Sequence, residues 1–285
     1  DGAPPYAADC DTPPVAAWGS HRCATPPLVK VGTWNVNGIR KRSTEVLSWI
    51  DREEPDVVCL QETKAAIGQV PQHIVDVAGY HCHWHGHAGY SGVALMLRHK
   101  AFAEAPTWVH PPFDMETRIA VAEVGTSAGT LVIGSVYGPN GGKDYGAKIE
   151  FWKQLVLWAA ELKEHDKHLV LAGDFNIARL PIDVHPALRK EMIGQSNEER
   201  TLFEQFLSHG LVDVHRRVDP DNDRLFTWWA PWRNMRQRNM GWRLDYVAAS
   251  TALVDEHVHC GAYRDFGTSD HGPVIAHLRD TPSAA

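Results

Sequence analysis

Eight short apolar runs recur along this chain, and polar residues crowd at their carboxyl ends. The runs occupy residues 28–36, 56–60, 93–98, 118–124, 131–137, 168–172, 244–249 and 274–278. Runs of this length are typical of buried β-strands, and helical segments stand out only at 44–53, 145–165 and 197–209. Because strands outnumber helices, we predict an α/β fold with two β-sheets face to face and helices outside, as one domain.

The predicted domain spans residues 28–280, between a leader at 1–27 and a tail at 281–285. The leader holds six prolines and six alanines without an apolar period, which predicts a flexible segment. A chain of 285 residues can bury enough surface to fold without a disulfide or a structural metal. A bound metal ion is therefore expected to serve function.

Charge and cysteine content argue against several classes of protein. The net charge of −7 gives no general attraction to a polyanion, so nucleic-acid binding would depend on a local basic patch. The five cysteines show no CxxC pair, which argues against a zinc knuckle or a disulfide framework. No apolar run reaches the length of about 18 residues that a membrane span needs. These features predict a cytoplasmic protein without membrane contact.

Carboxylates after two predicted strands are candidates for binding a divalent cation. Glu62 follows the run 56–60, and Asp174 and Asn176 follow the run 168–172. Because Asp174 and Asn176 are two residues apart, an extended backbone would place both side chains on the same side. Mg²⁺ typically binds one or two protein carboxylates and retains several waters. Taken alone, a solvated loop glutamate and an Asx turn also explain these residues.

Asp270 and His271 join a carboxylate to a titratable imidazole, in a turn before the run 274–278. Such a histidine needs an orienting partner. Asp245 is a candidate, because an acid flanked by apolar residues is costly to bury unless it is paired. An ion pair between Asp245 and Arg243 is the alternative.

The order of the motifs along the chain is more informative than any one of them. Seven motifs follow one another: TWNVNGIR (33–40), LQETK (60–64), YGPNGG (137–142), GDFNI (173–177), GLVD (210–213), GWRLDY (241–246) and SDHGPV (269–274). In this order they resemble the exonuclease III type of abasic-site endonuclease, within the endonuclease/exonuclease/phosphatase superfamily. The resemblance covers residues 30–279 and implies a four-layered α/β sandwich.

The resemblance implies an Mg²⁺-dependent enzyme, with Mn²⁺ as a substitute, that hydrolyses duplex DNA on the 5′ side of an abasic site and leaves a 3′-hydroxyl. It also implies 3′–5′ exonuclease activity or trimming of blocked 3′ ends. By motif match, Glu62 is the principal metal ligand, with Asn35 and Asp270 beside it. Asn37, which we assign to DNA binding, stands where some members have an aspartate near the metal, so the number of metal ions stays open.

The catalytic roles implied by the resemblance fall on five residues. Asp174 and Asn176 position or deprotonate the attacking water, and His271, oriented by Asp245, contacts the scissile phosphate. Tyr137 belongs to a phosphate cradle. These groups suit an in-line attack in which charge builds on phosphoryl oxygens. Which of them is the general base stays open.

A cluster of tryptophans supplies a further element of the resemblance. Trp228, Trp242 and Leu244 match the family's apolar pocket for a flipped-out deoxyribose, and a missing base makes flipping cheap. Trp232 lies among polar residues and suits insertion into a groove. Packing in the core is the alternative, above all for Trp229.

Basic and amide side chains near this cluster predict contacts with DNA. Between residues 224 and 244 there are five arginines and no acid, namely Arg224, Arg233, Arg236, Arg238 and Arg243. Such a patch would track phosphates, although a solvated charged face is the ordinary explanation. Asn140 shares the phosphate cradle, and Lys143 sits where some relatives have an arginine that reaches into DNA.

One pattern belongs to none of these motifs. His81, His83, His85 and His87 alternate, so an extended strand would place all four on one face, an arrangement suited to a transition metal. We favour the simpler interpretation, an ordinary exposed strand.

Three other functions are weighed against the nuclease. They are a phosphoesterase of the same superfamily acting on phospholipid head groups or inositol phosphates, a DNA-binding module with little catalysis, and a metal-storage protein built on the histidines. The overall prediction is a monomeric, cytoplasmic DNA repair enzyme. Its substrate is double-stranded DNA with abasic sites or blocked 3′ ends.

Overall fold

The computed structural model describes residues 28–102, 104–126 and 129–279. The strands are β1 (Leu28–Asn35), β2 (Val57–Gln61), β3 (Tyr80–His87), β4 (Tyr90–Arg98), β5 (Thr107–Val109), β6 (Ile119–Thr126), β7 (Gly129–Tyr137), β8 (His168–Asp174), β9 (Leu211–Asp213), β10 (Asp245–Ser250), β11 (His259–Ala262) and β12 (Val274–Arg279). The helices are α1 (Ile39–Glu53), α2 (Gln72–Val75), α3 (Tyr145–Glu164), α4 (Asn197–Ser208) and α5 (Val214–Val218). The predicted leader and tail lie outside the described residues.

The strands form two six-stranded sheets. The order is β11-β12-β1-β2-β4-β3 in the first and β5-β6-β7-β8-β10-β9 in the second. Both sheets are mixed, because β1 and β2 pair in parallel, as do β7 and β8, while the other pairs are antiparallel. All eight predicted strands are present.

Alternating side chains of the central strands build two different cores. In β2, Val57 and Cys59 face the second sheet, whereas Val58 and Leu60 join Trp49 of α1 on the outer side. Strands buried on both faces read as continuous apolar runs, which is why the sequence reveals them.

The second sheet is covered in the same way. Trp152 of α3 and Phe203 of α4 pack with Leu169 and Leu171 of β8 on its outer face. The order of layers is helix, sheet, sheet, helix, which confirms the predicted four-layered sandwich.

Helix α1 begins earlier than predicted, at Ile39 and not at residue 44. Its first turn carries a basic run at 40–42, and only Ile39 and Ser43 of that region are buried. Because this first turn is mostly polar, the apolar periodicity that indicates a helix is not visible there. The other long helices match their predictions, and Ser196 and Glu199 form the capping box expected at the start of α4.

Strand β3 holds the alternating histidines. A register shift separates His85 from His87, so the alternation breaks before its last member. His83 stacks on Trp108 of β5, with ring centroids 4.8 Å apart, and therefore faces the second sheet. β3 is thus a partly buried edge strand, and the single face of four histidines is not formed.

The carboxyl ends of both parallel pairs lie at one edge of the sandwich. Asn35 ends β1 and Glu62 follows β2 in the first sheet, while Tyr137 ends β7 and Asp174 ends β8 in the second. Asp245 begins β10 directly opposite Asp174. Polar side chains from two sheets therefore meet at this edge.

Candidate active site

A cleft of about 620 Å³ opens at this edge of the sandwich. It is lined by these residues from the sequence prediction: Glu62, Tyr137, Asn140, Asp174, Asn176, Trp228, Trp232, Trp242, Leu244, Asp270 and His271. Asn35 and Asp245 are fully buried behind its wall. The structure thus brings together the metal, catalytic and apolar groups that the sequence placed far apart.

The residues at the site that adopt a left-handed backbone include Asn37 with φ 43°, Glu62 with φ 50° and Asn176 with φ 53°. Asparagine tolerates this conformation, whereas for Glu62 it costs on the order of 1 kcal/mol or more and persists only when the surroundings enforce it. The backbone N–H of Gly38 donates to the carbonyl of Glu62 at 2.7 Å, and that of Asn176 donates to Asp174 Oδ1 at 2.9 Å. The first bond fixes the backbone of Glu62, and the second holds the Asp174 carboxylate. Both carboxylates line the cleft.

Asn35 joins the two carboxylates at the centre of the site. Its amide nitrogen donates to Glu62 Oε1 at 2.9 Å and to Asp174 Oδ2 at 2.8 Å. Lys64 Nζ lies 2.7 Å from Glu62 Oε2 and also donates to Asn37 Oδ1 at 2.6 Å. Burial would raise the pKa of Glu62, but Lys64 and Asn35 outweigh burial and lower it. Sequence reasoning included Lys64 only as the last residue of the LQETK motif and assigned it no role.

His271 lies between two aspartates. Its Nδ1 is 2.9 Å from Asp245 Oδ2, and its Nε2 is 3.8 Å from Asp174 Oδ2. The predicted partnership with Asp245 is confirmed, and the alternative pair with Arg243 is not formed, since Arg243 binds Asp183 and Asp213. Burial opposes the charged imidazole, but Asp245 and Asp174 outweigh it and raise the pKa of His271 to about 10.

Glu62, Asp174 and His271 form a cluster of the kind that binds cations. Ligand atoms of Glu62, Asp174 and His271 all lie within 4.8 Å of one another. Burial, followed by the negative charges of Asp245 and Glu62, raises the pKa of Asp174 to about 7. Buried acids crowded in this way are what a divalent cation stabilises, and carboxylate oxygens suit Mg²⁺.

Two predicted metal ligands occupy less direct positions. The amide nitrogen of Asn35, and not its oxygen, faces the carboxylates. Asp270 accepts hydrogen bonds from Asn37 Nδ2 at 2.8 Å and from Trp228 Nε1 at 3.0 Å. These contacts lower the pKa of Asp270 together with the charge of His271, against the effect of burial. Direct ligation by Asn35 and Asp270 stays a prediction.

The residues predicted to form a phosphate cradle lie at the end of β7 and in the turn that follows it. Burial and the charges of Glu62 and Asp174 raise the pKa of Tyr137 well above its ordinary value, so its hydroxyl keeps its proton. The Arg118 guanidinium lies 4.7 Å from the centre of the Tyr137 ring. Arg118 is buried and was not predicted, because an arginine at the start of an apolar run gives no functional signal.

Two residues beyond Tyr137 were also predicted to contact DNA. Asn140 is exposed on the cleft wall, and its Oδ1 accepts from the backbone N–H of Gly142 at 3.0 Å. Lys143 lies apart from the cleft, with Nζ 4.9 Å from the centre of the Tyr90 ring.

The tryptophans divide between wall and core. Trp228 and Trp242 meet edge to face at 5.8 Å and, with Leu244, form an apolar wall of the cleft. Trp232 is 58% exposed at the same cleft, as expected for a residue that inserts into a groove. Trp229 is buried, which confirms the alternative of core packing for that residue.

The predicted basic patch is smaller than its arginine count suggested. Arg224, Arg233 and Arg238 are exposed. Arg236 is instead turned inward, where its guanidinium donates to the carbonyls of Ser269 and Phe266. In this structure Arg236 holds the loop before Asp270, so we revise its role from phosphate contact to positioning.

Arg243 is also withdrawn from the surface. It is fully buried and contacts both oxygens of Asp183 and of Asp213, at distances from 2.6 to 3.0 Å. The backbone on either side of Arg243 carries Trp242 and Leu244. This ion-pair network therefore fixes the apolar wall from behind.

Comparison with known proteins gives consistent results. Residues 32–271 match the model of the Endonuclease/Exonuclease/phosphatase family. The chain is 33% identical over 256 residues to an exodeoxyribonuclease of Bacillus subtilis, covering 86% of this chain and 98% of that protein. It is 31% identical over 262 residues to the DNA repair nuclease APEX1 of Danio rerio, with coverage of 88% and 82%. A solved 3′ phosphatase from Neisseria, bound to a product DNA hairpin, superposes with a TM-score of 0.74 at 30% identity, with coverage of 88% and 99%.

Proposed function

Since the chain belongs to the endonuclease/exonuclease/phosphatase family, we propose that it is a DNA repair nuclease that cleaves duplex DNA on the 5′ side of abasic sites. The product end is a 3′-hydroxyl, and the same site trims 3′ ends. The observation that carries this proposal is the apolar wall of Trp228, Trp242 and Leu244, which lies in the same cleft as Glu62 and His271.

The first requirement of the proposal is a metal ion. Glu62 would hold Mg²⁺, with Mn²⁺ as a substitute, and Asn35 and Asp270 would lie beside it. The bound ion supplies positive charge to the phosphoryl oxygens and lowers the pKa of a bound water. Lys64 and Asn35 keep Glu62 ionised and oriented for this role.

Asp174 would accept a proton from the attacking water as the bond between phosphorus and the 3′ oxygen breaks, and that oxygen would take a proton from solvent to become the 3′-hydroxyl. Burial and the negative charges of Asp245 and Glu62 raise the pKa of Asp174, which favours the uptake of a proton by this carboxylate. The backbone N–H of Asn176 holds Asp174 Oδ1, and Asn35 holds Oδ2, so the carboxylate keeps one orientation toward the attacking water.

His271 and Tyr137 would stabilise the phosphate. Asp245 keeps the imidazole protonated, so Nε2 can donate to a phosphoryl oxygen as charge develops there. The Tyr137 hydroxyl, which keeps its proton, donates to the same phosphate. Neither group needs to lose a proton to act, because donors arranged in advance stabilise the transition state.

Selection of the damaged site would depend on the apolar wall. A deoxyribose without its base is small and easily rotated out of the helix. Trp228, Trp242 and Leu244 offer it an apolar surface, and Trp232 would fill the space left in the duplex. The exposed Arg233 and Arg238 would contact backbone phosphates on either side.

Within this proposal the enzyme acts as a monomer in the cytoplasm. One chain supplies every group of the cleft, so a second copy is not needed for catalysis. The thiols of Cys59, Cys82 and Cys260 are free, which fits a reducing compartment. None of the described helices is long and apolar enough to cross a lipid bilayer.

The proposal is tested with two labelled duplexes, one carrying a single tetrahydrofuran abasic-site analogue and one intact. With Mg²⁺ we expect incision 5′ to the analogue at an end that a polymerase extends, and no incision with a chelator. The intact duplex should lose only nucleotides from its 3′ end. Hydrolysis of inositol phosphates or phospholipid head groups without action on DNA would contradict the proposal, and so would binding of DNA without cleavage.

Replacing Trp242 by Ala tests the role of the apolar wall. We expect abasic-site incision to fall by about 10-fold more than 3′ exonuclease activity, because a lost apolar contact of this size costs about 1–2 kcal/mol. The Trp242→Phe variant keeps an aromatic surface and should retain most incision. An equal loss of both activities in Trp242→Ala would show that the wall does not select the abasic sugar.

A further inference from the structure

A second group of possible metal ligands lies outside the cleft, where the outer strands β3 and β5 of the two sheets face each other. His85 belongs to β3, His110 directly follows β5, and Asp114 lies in the loop that leads to β6. We call these three residues the edge cluster. None of them lines the catalytic cleft.

The three side chains converge on one point. Nε2 of His85 is 2.7 Å from Asp114 Oδ2, and Nε2 of His110 is 3.4 Å from the same oxygen. The two imidazole rings meet edge to face, with centroids 5.3 Å apart. One ligand atom from each residue lies within 4.8 Å of the other two.

From this geometry we propose that the edge cluster binds a divalent transition-metal ion of the zinc type. Two imidazole nitrogens and one carboxylate oxygen form a borderline-soft ligand set, which suits Zn²⁺ or Co²⁺, whereas Mg²⁺ prefers oxygen ligands alone. His110 is 56% exposed, so the remaining coordination positions are open to water.

A simple ion pair accounts for the cluster less well. One carboxylate neutralises one imidazolium, yet two imidazoles face the same oxygen of Asp114. A metal ion uses both rings in their neutral form together with the carboxylate.

The surroundings of the cluster support a built site. The backbone N–H of Arg118 donates to Asp114 Oδ1 at 3.2 Å, which leaves Oδ2 directed at the histidines. Contacts of this kind to the far atom of a ligand are typical of metal sites. His83, two residues before His85, is fixed by its stacking on Trp108 and limits movement of β3.

The site would join the two sheets. His85 comes from the outer strand of the first sheet, and His110 adjoins the outer strand of the second. Because an unfolded chain does not bring these residues together, binding would stabilise the folded protein. This inference does not depend on the proposed nuclease activity.

The experiment measures Co²⁺ binding by absorption spectroscopy and Zn²⁺-dependent thermal unfolding, both in excess Mg²⁺ to occupy the oxygen ligands of the cleft. The variants are His110→Asn, His85→Asn and, as a control, His257→Asn, whose side chain is similarly exposed at 50%. The full chain also contains Cys10, His21 and Cys23, so the result is the difference between variants and not the total number of ions bound.

We expect the wild type and His257→Asn to bind one ion more than either edge-cluster variant. Zn²⁺ at about 100 times its Kd should raise their Tm by about 5–10 °C, and this rise should be lost in both edge-cluster variants. Equal binding in the wild type and His110→Asn would overturn the proposal. Absence of any Co²⁺ or Zn²⁺ binding by the wild type would also overturn it.

Discussion

Replacing Asp174 by Asn lowers the turnover number for incision by about 10³-fold, which is the contribution expected of a positioned general base. The new amide cannot take a proton from water. In the wild type the Asn35 amide donates to Asp174 Oδ2 at 2.8 Å, and in the variant an NH₂ group can stand opposite that donor. The side chain keeps its volume and the site is at the end of a strand, so the fold should persist. Single-turnover cleavage of the abasic duplex measures the loss.

Asp166→Asn is the matched control. It makes the same chemical change in an exposed turn just before β8, where φ is 52° and asparagine is well tolerated. We expect native turnover in this variant. If Asp174→Asn stays within about threefold of the wild type while remaining folded, another group is the base.

Replacing Arg243 by Met is expected to lower the free energy of unfolding by about 3 kcal/mol, because Asp183 and Asp213 would remain buried with only Arg216 and Arg179 to neutralise them. Urea unfolding at pH 7 measures the change. Arg264→Met serves as the control, since Arg264 forms an exposed pair with Asp265 and should change stability by less than about 0.5 kcal/mol. A similar loss of unfolding free energy in both variants would show that the buried network stabilises the fold no more than an exposed ion pair does.

The same network predicts the pH dependence of stability. Burial would raise the pKa of Asp213, but Arg243 and Arg179 outweigh it and lower the value to about 2. A lowered pKa stabilises the folded state above the unfolded value of about 3.9, and that stability is lost as pH falls toward 2. In Arg243→Met, Asp183 keeps only Arg216 and Asp213 keeps only Arg179, so the pKa values of both carboxylates would rise relative to the wild type. The deficit relative to the wild type should therefore shrink from pH 7 to pH 4.

The strands that sequence reasoning found are those with apolar side chains on both faces. β3 was expected only as the exposed strand that the alternating histidines indicate. β5, β9 and β11 were missed, and these strands have only three or four residues. Each has too little apolar pattern to distinguish it from a loop, because partners in the sheet, and not local propensity, make these segments strands.

The same distinction holds for the candidate site. Motif order identified Glu62, Asp174 and His271, since each lies at a strand end or turn that can be recognised locally. It did not reveal that Arg243 reaches Asp183, which is 60 residues away along the chain. Nor did it reveal that Arg236 faces inward. A contact between segments that are distant in sequence cannot be recognised from the residues around either one. Counting arginines in a segment therefore overestimates the positive charge at the surface, because some of them are buried in such contacts.

The pairing of β1 with β12 has a consequence for synthesis on the ribosome. Leu28 aligns with Arg279, so the first sheet pairs segments from opposite ends of the domain. The strands of the second sheet all lie between β1 and β12 in the sequence. During translation β1 can pair with β2 but lacks β12, and His271 is absent, until nearly the whole domain has been made. A nascent or truncated chain would therefore carry Glu62 and Asp174 but no complete catalytic group, so nuclease activity would begin only when the sandwich closes.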